Sequence, residues 1–305
     1  MCTQIRDTES ERYAMNQDYV IAPDGTIDGQ PIRYVAMGDS FSEGVGDEAP
    51  TLPNEVHGWT DRLAIALGEL NPETRYSNLA IRGYLIEQIM ENQLQATLDL
   101  QPNLVTLYGG GNNILRPGVD LDAVVAQLAE GFKVLRGAGA EVFTITGLDV
   151  QGEGPFARTR PRTALFNELV REAADEYGVH IIDYWRMRDF IDWRLWAADK
   201  LHMNSYGHTR FARRALEAMA GPEAAERIAE PELPPVEELS AGQQLAENVR
   251  WAREFALPWV GRRLRGTSSG DNLEPKYPVW TDPALIADAY ARDPFEGVKT
   301  TLDEV

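Results

Sequence analysis

The sequence predicts an α/β fold in which a mainly parallel sheet of five strands is covered by helices on both faces. Five apolar runs of strand length lie between residues 31 and 221, and each is followed by a helical pattern. Parallel strands need crossover connections, and helical crossovers bury both faces of the sheet. The chain has 305 residues, of which 43% are hydrophobic and 25% charged, and this composition is typical of a globular protein.

Each predicted strand alternates with one predicted helix along the chain. The strand-like runs occupy residues 32–38, 75–80, 103–111, 141–147 and 179–185. The helical patterns occupy residues 58–70, 84–98, 121–139, 162–178 and 205–220. In such sheets ligands bind at the carboxyl ends of the strands, so catalytic candidates should directly follow a strand.

Composition divides the chain into three predicted parts. Residues 1–30 are polar and rich in turn signals, which indicates an N-terminal arm, and residues 31–221 form the α/β domain. Residues 222–305 begin with a Pro/Glu-rich linker, continue with a helical pattern and end in a turn-rich tail. We therefore expect a C-terminal helical extension with a partly ordered tail.

Charge and targeting signals exclude several classes of function. The formal net charge of −19 would repel nucleic acid over most of the surface. No apolar run approaches the roughly 18 residues that span a bilayer, and the N-terminus lacks an apolar signal segment, so a cytoplasmic protein is expected. The single cysteine, Cys2, can form neither an intrachain disulfide nor a cysteine-rich metal site.

A serine follows the first predicted strand directly. The strand Tyr34–Met37 leads into Gly-Asp-Ser-Phe-Ser-Glu-Gly at residues 38–44, with Ser40 at the apex of the turn. A glycine permits a tight turn here, and a serine at a strand's carboxyl end can point its hydroxyl into the active-site crevice. Taken alone, this stretch could equally be an ordinary polar turn.

Three further segments of similar character follow in order. Asn-Leu-Ala-Ile-Arg-Gly at residues 78–83 ends in Gly83, and Gly-Gly-Gly-Asn-Asn at residues 109–113 places Asn112 after another strand. Asp199 and His202 then occur in Asp-x-x-His spacing just before the last helix of the domain. A glycine leaves space for a substrate oxygen beside its N–H, and a neutral amide can donate to an oxyanion.

Together the four segments resemble the ordered sequence blocks of the SGNH (GDSL-like) hydrolases. The resemblance covers residues 31–220 and implies a flavodoxin-like, three-layer α/β/α fold with a metal-free, cofactor-free site. It assigns Ser40 as nucleophile, His202 as its base and Asp199 as the residue that orients the imidazole. The oxyanion donors implied are the Ser40 and Gly83 backbone N–H groups and the Asn112 side chain.

The resemblance leaves three functions open. The first is hydrolysis of a small-molecule or lipid carboxylic ester through an acyl-enzyme, and the second is sugar O-deacetylation or acyl transfer on the same intermediate. The third is a non-catalytic binding or scaffold protein on a decayed hydrolase fold. Asn113, which stands where the family usually has aspartate, and the long tail are the two features that favour the third function.

Other motifs are predicted to have no role in catalysis. The Gly-x-Ser-x-Gly match at residues 266–270 follows no strand and precedes no histidine, so it indicates a polar turn. The glycine-rich segment lacks the P-loop lysine, and the four histidines and one cysteine form no zinc motif. We expect His57 in a loop near the cleft, His180 in its strand and His208 in a structural role.

The surroundings of the site are predicted less specifically. Loops Asp47–Glu55 and Gly152–Arg160 should border the cleft, as loops at strand ends do. An aromatic and basic helix is predicted over residues 245–265, either packed on the acidic main domain or in weak contact with a membrane surface. Its aromatic and arginine residues are Arg250, Trp251, Arg253, Phe255, Trp259, Arg262, Arg263 and Arg265.

Overall fold

The structure is a computed structural model that describes residues 19–151, 156–236, 240–258, 261 and 268–292. Its described strands are β1 (Thr26–Ile27), β2 (Gln30–Pro31), β3 (Arg33–Met37), β4 (Arg75–Asn78), β5 (Leu104–Leu107), β6 (Glu141–Ile145), β7 (His180–Ile182) and β8 (Tyr277–Thr281). Its described α-helices are α1 (Ser40–Glu43), α2 (Trp59–Leu70), α3 (Ile86–Leu100), α4 (Gly111–Ile114), α5 (Leu121–Gly137), α6 (Arg160–Tyr177), α7 (Ser205–Ala220), α8 (Pro222–Ala225), α9 (Ala241–Trp251) and α10 (Pro283–Tyr290).

The central sheet has the strand order β7-β6-β5-β3-β4-β8. Its first five strands are mutually parallel, as the alternating sequence pattern predicts. Strand β3 lies between β5 and β4, so the turn that follows β3 is near the middle of the sheet's carboxyl edge. Ser40 therefore occupies the position at which sheets of this type bind their ligands.

Two hydrophobic cores cover the two faces of the sheet. Alternate residues of β3 serve different cores: Tyr34 and Ala36 belong to one, and Val35 and Met37 to the other. Helices α2 and α7 pack in the first core, and α3, α5 and α6 pack in the second. This arrangement is the expected three-layer α/β/α architecture.

The prediction of five strands is wrong by one, because the C-terminal extension adds a sixth. Strand β8 pairs antiparallel with β4 at the edge of the sheet. Its sequence contains an exposed proline, Pro278, in a turn-rich segment. A proline argues against a central strand but is tolerated at an edge, where its missing N–H costs no ladder bond. The extension thus contains helix and strand together.

The extension is joined to the main domain by a buried lysine. Lys276, immediately before β8, donates through Nζ to the carboxylate of Asp61 at 2.5 Å. It also donates to the backbone carbonyls of Glu43 at 3.0 Å and His57 at 2.6 Å. Both charged side chains are completely buried. Burial raises the pKa of Asp61 and lowers that of Lys276, while the attraction between the two charges opposes both shifts.

Some sequence predictions concern residues whose structure is not described. Of the predicted helix over residues 245–265, the structure describes α9, a π-helical turn at Ala252–Ala256, residues 257–258 and residue 261. Trp259, Arg262, Arg263 and Arg265 lie outside the described residues, as do residues 152–155 and 266–267. The division of the chain at residues 30 and 221 stays a prediction. No helix within the described ranges is long and apolar enough to cross a membrane.

Candidate active site

The turn after β3 places Ser40 at the first position of the short helix α1. Asp39 caps this helix by accepting a hydrogen bond from the backbone N–H of Phe41 at 3.1 Å. Gly38 has a φ of 148°, and a Cβ there would lie 2.6 Å from both Ser42 Oγ and the Tyr108 carbonyl oxygen. The glycine is therefore required by the crowding around this turn.

A continuous chain of hydrogen bonds joins the three residues predicted to act together. His202 Nε2 lies 2.9 Å from Ser40 Oγ, and His202 Nδ1 lies 2.5 Å from Asp199 Oδ2. The other carboxylate oxygen of Asp199 accepts from the backbone N–H groups of Leu201 and His202, each at 3.0 Å. Ser40 and His202 lie 162 positions apart in sequence and meet only in the folded protein.

Two carboxyl groups near Ser40, those of Asp199 and Asp39, have shifted pKa values. Burial acts to raise the pKa of Asp199, but the hydrogen bonds from His202 and the adjacent backbone outweigh it and hold the pKa below its usual value. Burial raises the pKa of Asp39 to about 6, despite the hydrogen bond from Phe41 and the nearby His202. Asp199 is therefore ionised over the neutral pH range, as a partner of an imidazolium must be.

The predicted oxyanion donors Asn112 and Gly83 differ in their position relative to the cavity beside Ser40. Asn112 lies in the wall of the cavity beside Ser40, and its side-chain amide donates to Asp39 at 3.2 Å and to the Tyr84 carbonyl at 3.1 Å. Gly83, which is described, is not among the residues that line this cavity. Its loop is nevertheless held beside the serine turn, because the N–H of Arg82 donates to Glu43 at 2.6 Å.

The structure explains why asparagine can stand at position 113. Asn113 is buried, and its Oδ1 accepts from the backbone N–H of Ile86 at the start of α3 at 3.1 Å. Its Nδ2 donates to the carboxylate of Glu87 at 3.2 Å. An aspartate could make the first hydrogen bond but would place a second carboxylate against Glu87. The departure from the family pattern thus fits its local partner.

Replacing Asn113 by aspartate should destabilise the protein. We expect Asn113→Asp to lower the free energy of unfolding by about 1 kcal/mol at pH 7, a modest cost because Glu87 is partly solvated. The deficit should shrink as the pH falls to about 4, where one of the two carboxylates takes up a proton. Urea denaturation at several pH values measures this effect. The double variant Glu87→Gln/Asn113→Asp should recover the loss, and an unchanged deficit would contradict the explanation.

Two buried amide side chains support the strand ends and were missed by sequence reasoning. Gln93 on α3 exchanges two hydrogen bonds with the backbone of Gly38, at 2.8 and 2.9 Å. Asn167 on α6 does the same with the backbone of Gly147, at 2.7 and 2.9 Å. Both glycines follow strands that point at the site. A polar residue at core-facing helical spacing, as Gln93 has after Ile86 and Ile89, is the signal that could have identified them.

A cavity of about 230 Å³ opens beside Ser40 and His202. Most of its wall is apolar or aromatic. The apolar and aromatic wall residues are Phe41, Val45, Tyr108, Ile114, Leu115, Leu148, Val150, Phe156, Ala157, Tyr184, Phe190, Ile191, Trp193, Trp196, Leu201 and Met203. Asp149 also lines the wall, but its carboxylate is paired with Arg160 and Arg188, both at 2.5 Å. The cavity therefore favours an apolar group next to the serine hydroxyl.

Of the two loops predicted to border the cleft, only the second lines the cavity. Phe156, Ala157 and Thr159 of the second loop line the cavity. The first loop, Asp47–Glu55, is described throughout and supplies no lining residue. It instead contacts the C-terminal extension, because Thr51 donates to the Ala289 carbonyl at 3.0 Å. The prediction for the first loop was wrong because the sequence pattern does not show that the extension packs on this loop.

The other three histidines contact residues other than Ser40, although His208 lines the same cavity. His57 is buried and stacks on Tyr290 of α10 with 3.9 Å between ring centroids. His180 lies on the edge strand β7 and pairs with Glu141 at 2.9 Å. His208 accepts from the backbone N–H of Trp59 and donates to the Val45 carbonyl, and burial lowers its pKa to about 4. It therefore links two backbone segments as a neutral imidazole.

Comparison with known proteins identifies the family. The model of the GDSL-like lipase/acylhydrolase family matches residues 36–210, more than half of the chain. No match is found among curated protein sequences. The matched region begins within β3 and ends within α7, so it contains Ser40, Gly83, Asn112, Asp199 and His202 and excludes the C-terminal extension.

Solved structures share the fold at low sequence identity. A catalytic mutant of an acetylxylan esterase from Geobacillus stearothermophilus is 18% identical, with a TM-score of 0.54 over 63% of this chain and 95% of the other. The enzyme LAE5 from the metagenome of Lake Arreo is 20% identical, with a TM-score of 0.53 over 63% and 96%. Esterase EstA from Pseudoalteromonas sp. is 17% identical, with a TM-score of 0.51 over 61% and 95%. The chain belongs to the GDSL-like lipase/acylhydrolase family and is a carboxylic ester hydrolase.

Proposed function

We propose that the protein hydrolyses carboxylic esters through an acyl-enzyme formed on Ser40. The observation that carries the proposal is the hydrogen-bond chain from Ser40 through His202 to Asp199, with the serine in the wall of a mainly apolar cavity. His202 takes the hydroxyl proton as Ser40 attacks the acyl carbonyl, and then gives it to the leaving alcohol. Asp199 fixes the imidazole tautomer and stabilises its cation. Water releases the acyl group by the same route.

The backbone N–H groups of Ser40 and Gly83 and the amide of Asn112 are proposed to stabilise the oxyanion. In the structure the Asn112 amide donates to Asp39 and to the Tyr84 carbonyl. A substrate oxygen would compete with these acceptors for the amide hydrogens. The two existing hydrogen bonds keep the amide nitrogen beside Ser40 before substrate arrives, which reduces the reorganisation needed during the reaction.

The cavity wall favours esters with a hydrophobic acyl group. Sugar O-deacetylation is the second candidate, because the fold resembles that of an acetylxylan esterase. A sugar presents hydroxyl groups that need hydrogen-bond partners, and the wall next to Ser40 is mainly apolar. Burial of an alkyl chain against such a wall contributes about 0.8 kcal/mol per methylene. An apolar acyl group is therefore the better match.

Hydrolysis of p-nitrophenyl esters from acetate to palmitate tests this preference. We expect kcat/KM to rise about threefold to fourfold for each added methylene until the cavity is filled, and then to fall. Acetylated xylo-oligosaccharide should be a poorer substrate than the optimal ester. A maximum at acetate together with faster cleavage of the sugar acetate would favour deacetylation. Added acceptor alcohols would divert the acyl group from water if the enzyme were a transferase.

A fluorophosphonate probe distinguishes catalysis from a non-catalytic role on the same fold. The probe should label wild-type protein at Ser40, and mass spectrometry of the labelled peptide identifies the residue. Ser269→Ala, which alters the exposed serine next to Ser268 of the Gly-x-Ser-x-Gly match, is the control that should label normally. Absence of labelling in folded protein would support the scaffold hypothesis instead.

A further inference from the structure

We propose that Trp251, in the C-terminal extension, is a positioning residue for Asp199. Trp251 lies on helix α9, outside the region that matches the family. Its indole Nε1–H donates to the backbone carbonyl of Asp199 at 2.8 Å. The inference rests on the proposed function, since it concerns the carboxylate that orients His202. It assigns to the extension a direct part in maintaining the catalytic geometry.

The Asp199 loop, defined as residues 197–202, depends on the orientation of one peptide group. The carbonyl of Asp199 and the N–H of Lys200 belong to this group; Trp251 binds the carbonyl, and the Ala197 carbonyl accepts from the N–H at 3.0 Å. Lys200 has a φ of 57°, a left-handed conformation that is uncommon for residues other than glycine. Such a conformation persists only where the surrounding contacts hold it.

The side chain of Lys200 adds a second attachment between the Asp199 loop and helix α9. Its ammonium lies 5.8 Å from the ring centroid of Trp251 and 6.0 Å from that of Trp193. It also donates to Asn248, one turn earlier on the helix, at 3.3 Å. A cation over the face of an aromatic ring is attracted by the ring's electron density. The helix is thus held to the loop through both backbone and side chain.

The extension also contacts two further segments of the site. Ser268 donates to the Arg82 carbonyl at 3.2 Å, and a Cβ at Gly83 would collide with the Ser268 hydroxyl. Lys276 donates to the carbonyl of Glu43, which ends the helix that begins at Ser40. The segments that carry Ser40, Gly83 and Asp199 are therefore each bound by a residue beyond position 210. Of these contacts, the one from Trp251 acts on the loop that holds a left-handed residue other than glycine, Lys200.

Loss of the indole hydrogen bond should misalign the Asp199 carboxylate while most of the cavity wall stays in place. If the peptide between Asp199 and Lys200 reorients, the Asp199 carboxylate no longer meets His202 Nδ1 in line. Fewer molecules then hold the imidazole ready to accept the Ser40 proton. Ground-state binding of the ester depends on the cavity wall, which Trp251 does not line and to which the Asp199 loop contributes only Lys200, Leu201 and His202. The effect should therefore be mainly on kcat, with a smaller change in KM.

The test compares Trp251→Phe, which keeps a ring beside Lys200 but removes the donor, with Trp251→Ala. We expect Trp251→Phe to lower kcat for the best p-nitrophenyl ester about threefold to tenfold, the worth of one ordinary hydrogen bond, with KM within about twofold. Trp251→Ala should lower kcat further. Val249→Ala on the exposed face of the same helix is the matched control and should behave as wild type. Wild-type kcat in Trp251→Phe would overturn the proposal.

A double-mutant cycle with Asp199→Asn tests whether Trp251 acts through Asp199. Trp251→Phe should have little further effect on kcat in the Asp199→Asn background, whereas an equal effect in both backgrounds would overturn the positioning role. Ser40→Ala separates this inference from the proposed function. If Ser40→Ala is inactive while Trp251→Phe equals wild type, only the positioning role fails. If Ser40→Ala retains full activity, the serine mechanism itself fails.

Discussion

Replacement of Ser40 or His202 by alanine should lower kcat for ester hydrolysis by a factor on the order of 10⁵. Ser40→Ala removes the only oxygen that can form the acyl-enzyme in the proposed mechanism. His202→Ala removes the base that lies 2.9 Å from that oxygen. Because the two groups act in one proton transfer, the double variant should be no slower than either single variant. This non-additivity distinguishes a joint catalytic role from two separate structural ones.

The measurement is kcat and KM for the best ester, with folding checked by circular dichroism. His180→Ala is the matched control, because His180 lies on an edge strand and pairs with Glu141 rather than with the serine. It should retain wild-type kcat. Substantial hydrolysis by folded Ser40→Ala would contradict the proposed mechanism. Equal losses in His180→Ala and His202→Ala would show that the assay does not distinguish catalysis from folding.

Replacement of Lys276 by methionine should cause the largest loss of stability. The substitution leaves the Asp61 carboxylate without its cation in a site where both side chains are completely buried. Removing one partner of a buried ion pair costs about 3–5 kcal/mol, because the remaining charge has lost both water and its partner. Methionine also cannot donate to the carbonyls of Glu43 and His57 that Lys276 binds. We therefore expect a loss at the upper end of this range.

Urea denaturation of wild type and Lys276→Met measures this loss. The double variant Asp61→Asn/Lys276→Met should be more stable than Lys276→Met, because it buries no uncompensated charge. Lys133→Met is the matched control, since Lys133 pairs with Glu130 where both side chains are more than half exposed. Its effect should stay below about 1 kcal/mol. An equal midpoint for wild type and Lys276→Met would refute a stabilising role for the buried pair.

The strands and helices between residues 31 and 221 could be predicted from local patterns. The five parallel strands and the helices between them follow from apolar periodicity, which depends on residues a few positions apart. The turn at Ser40 and the Asp199–His202 spacing were identified because each lies within a short segment beside a strand or helix boundary. Their joint resemblance to one family then predicted the ester hydrolase class, which the family match confirms.

The tertiary structure alone decided the role of the C-terminal extension. Strand β8 contains Pro278, so its sequence does not indicate a strand until β4 provides an edge to pair with. Lys276 is an ordinary charged residue in sequence, and only Asp61, 215 positions earlier, makes its burial favourable. Trp251 likewise lay in a helix predicted either to pack on the main domain or to contact a membrane surface, and only the fold shows that its indole meets a carbonyl 52 positions away. Periodicity and motifs report on neighbours in sequence, whereas each of these contacts joins distant segments and exists only after the chain has folded.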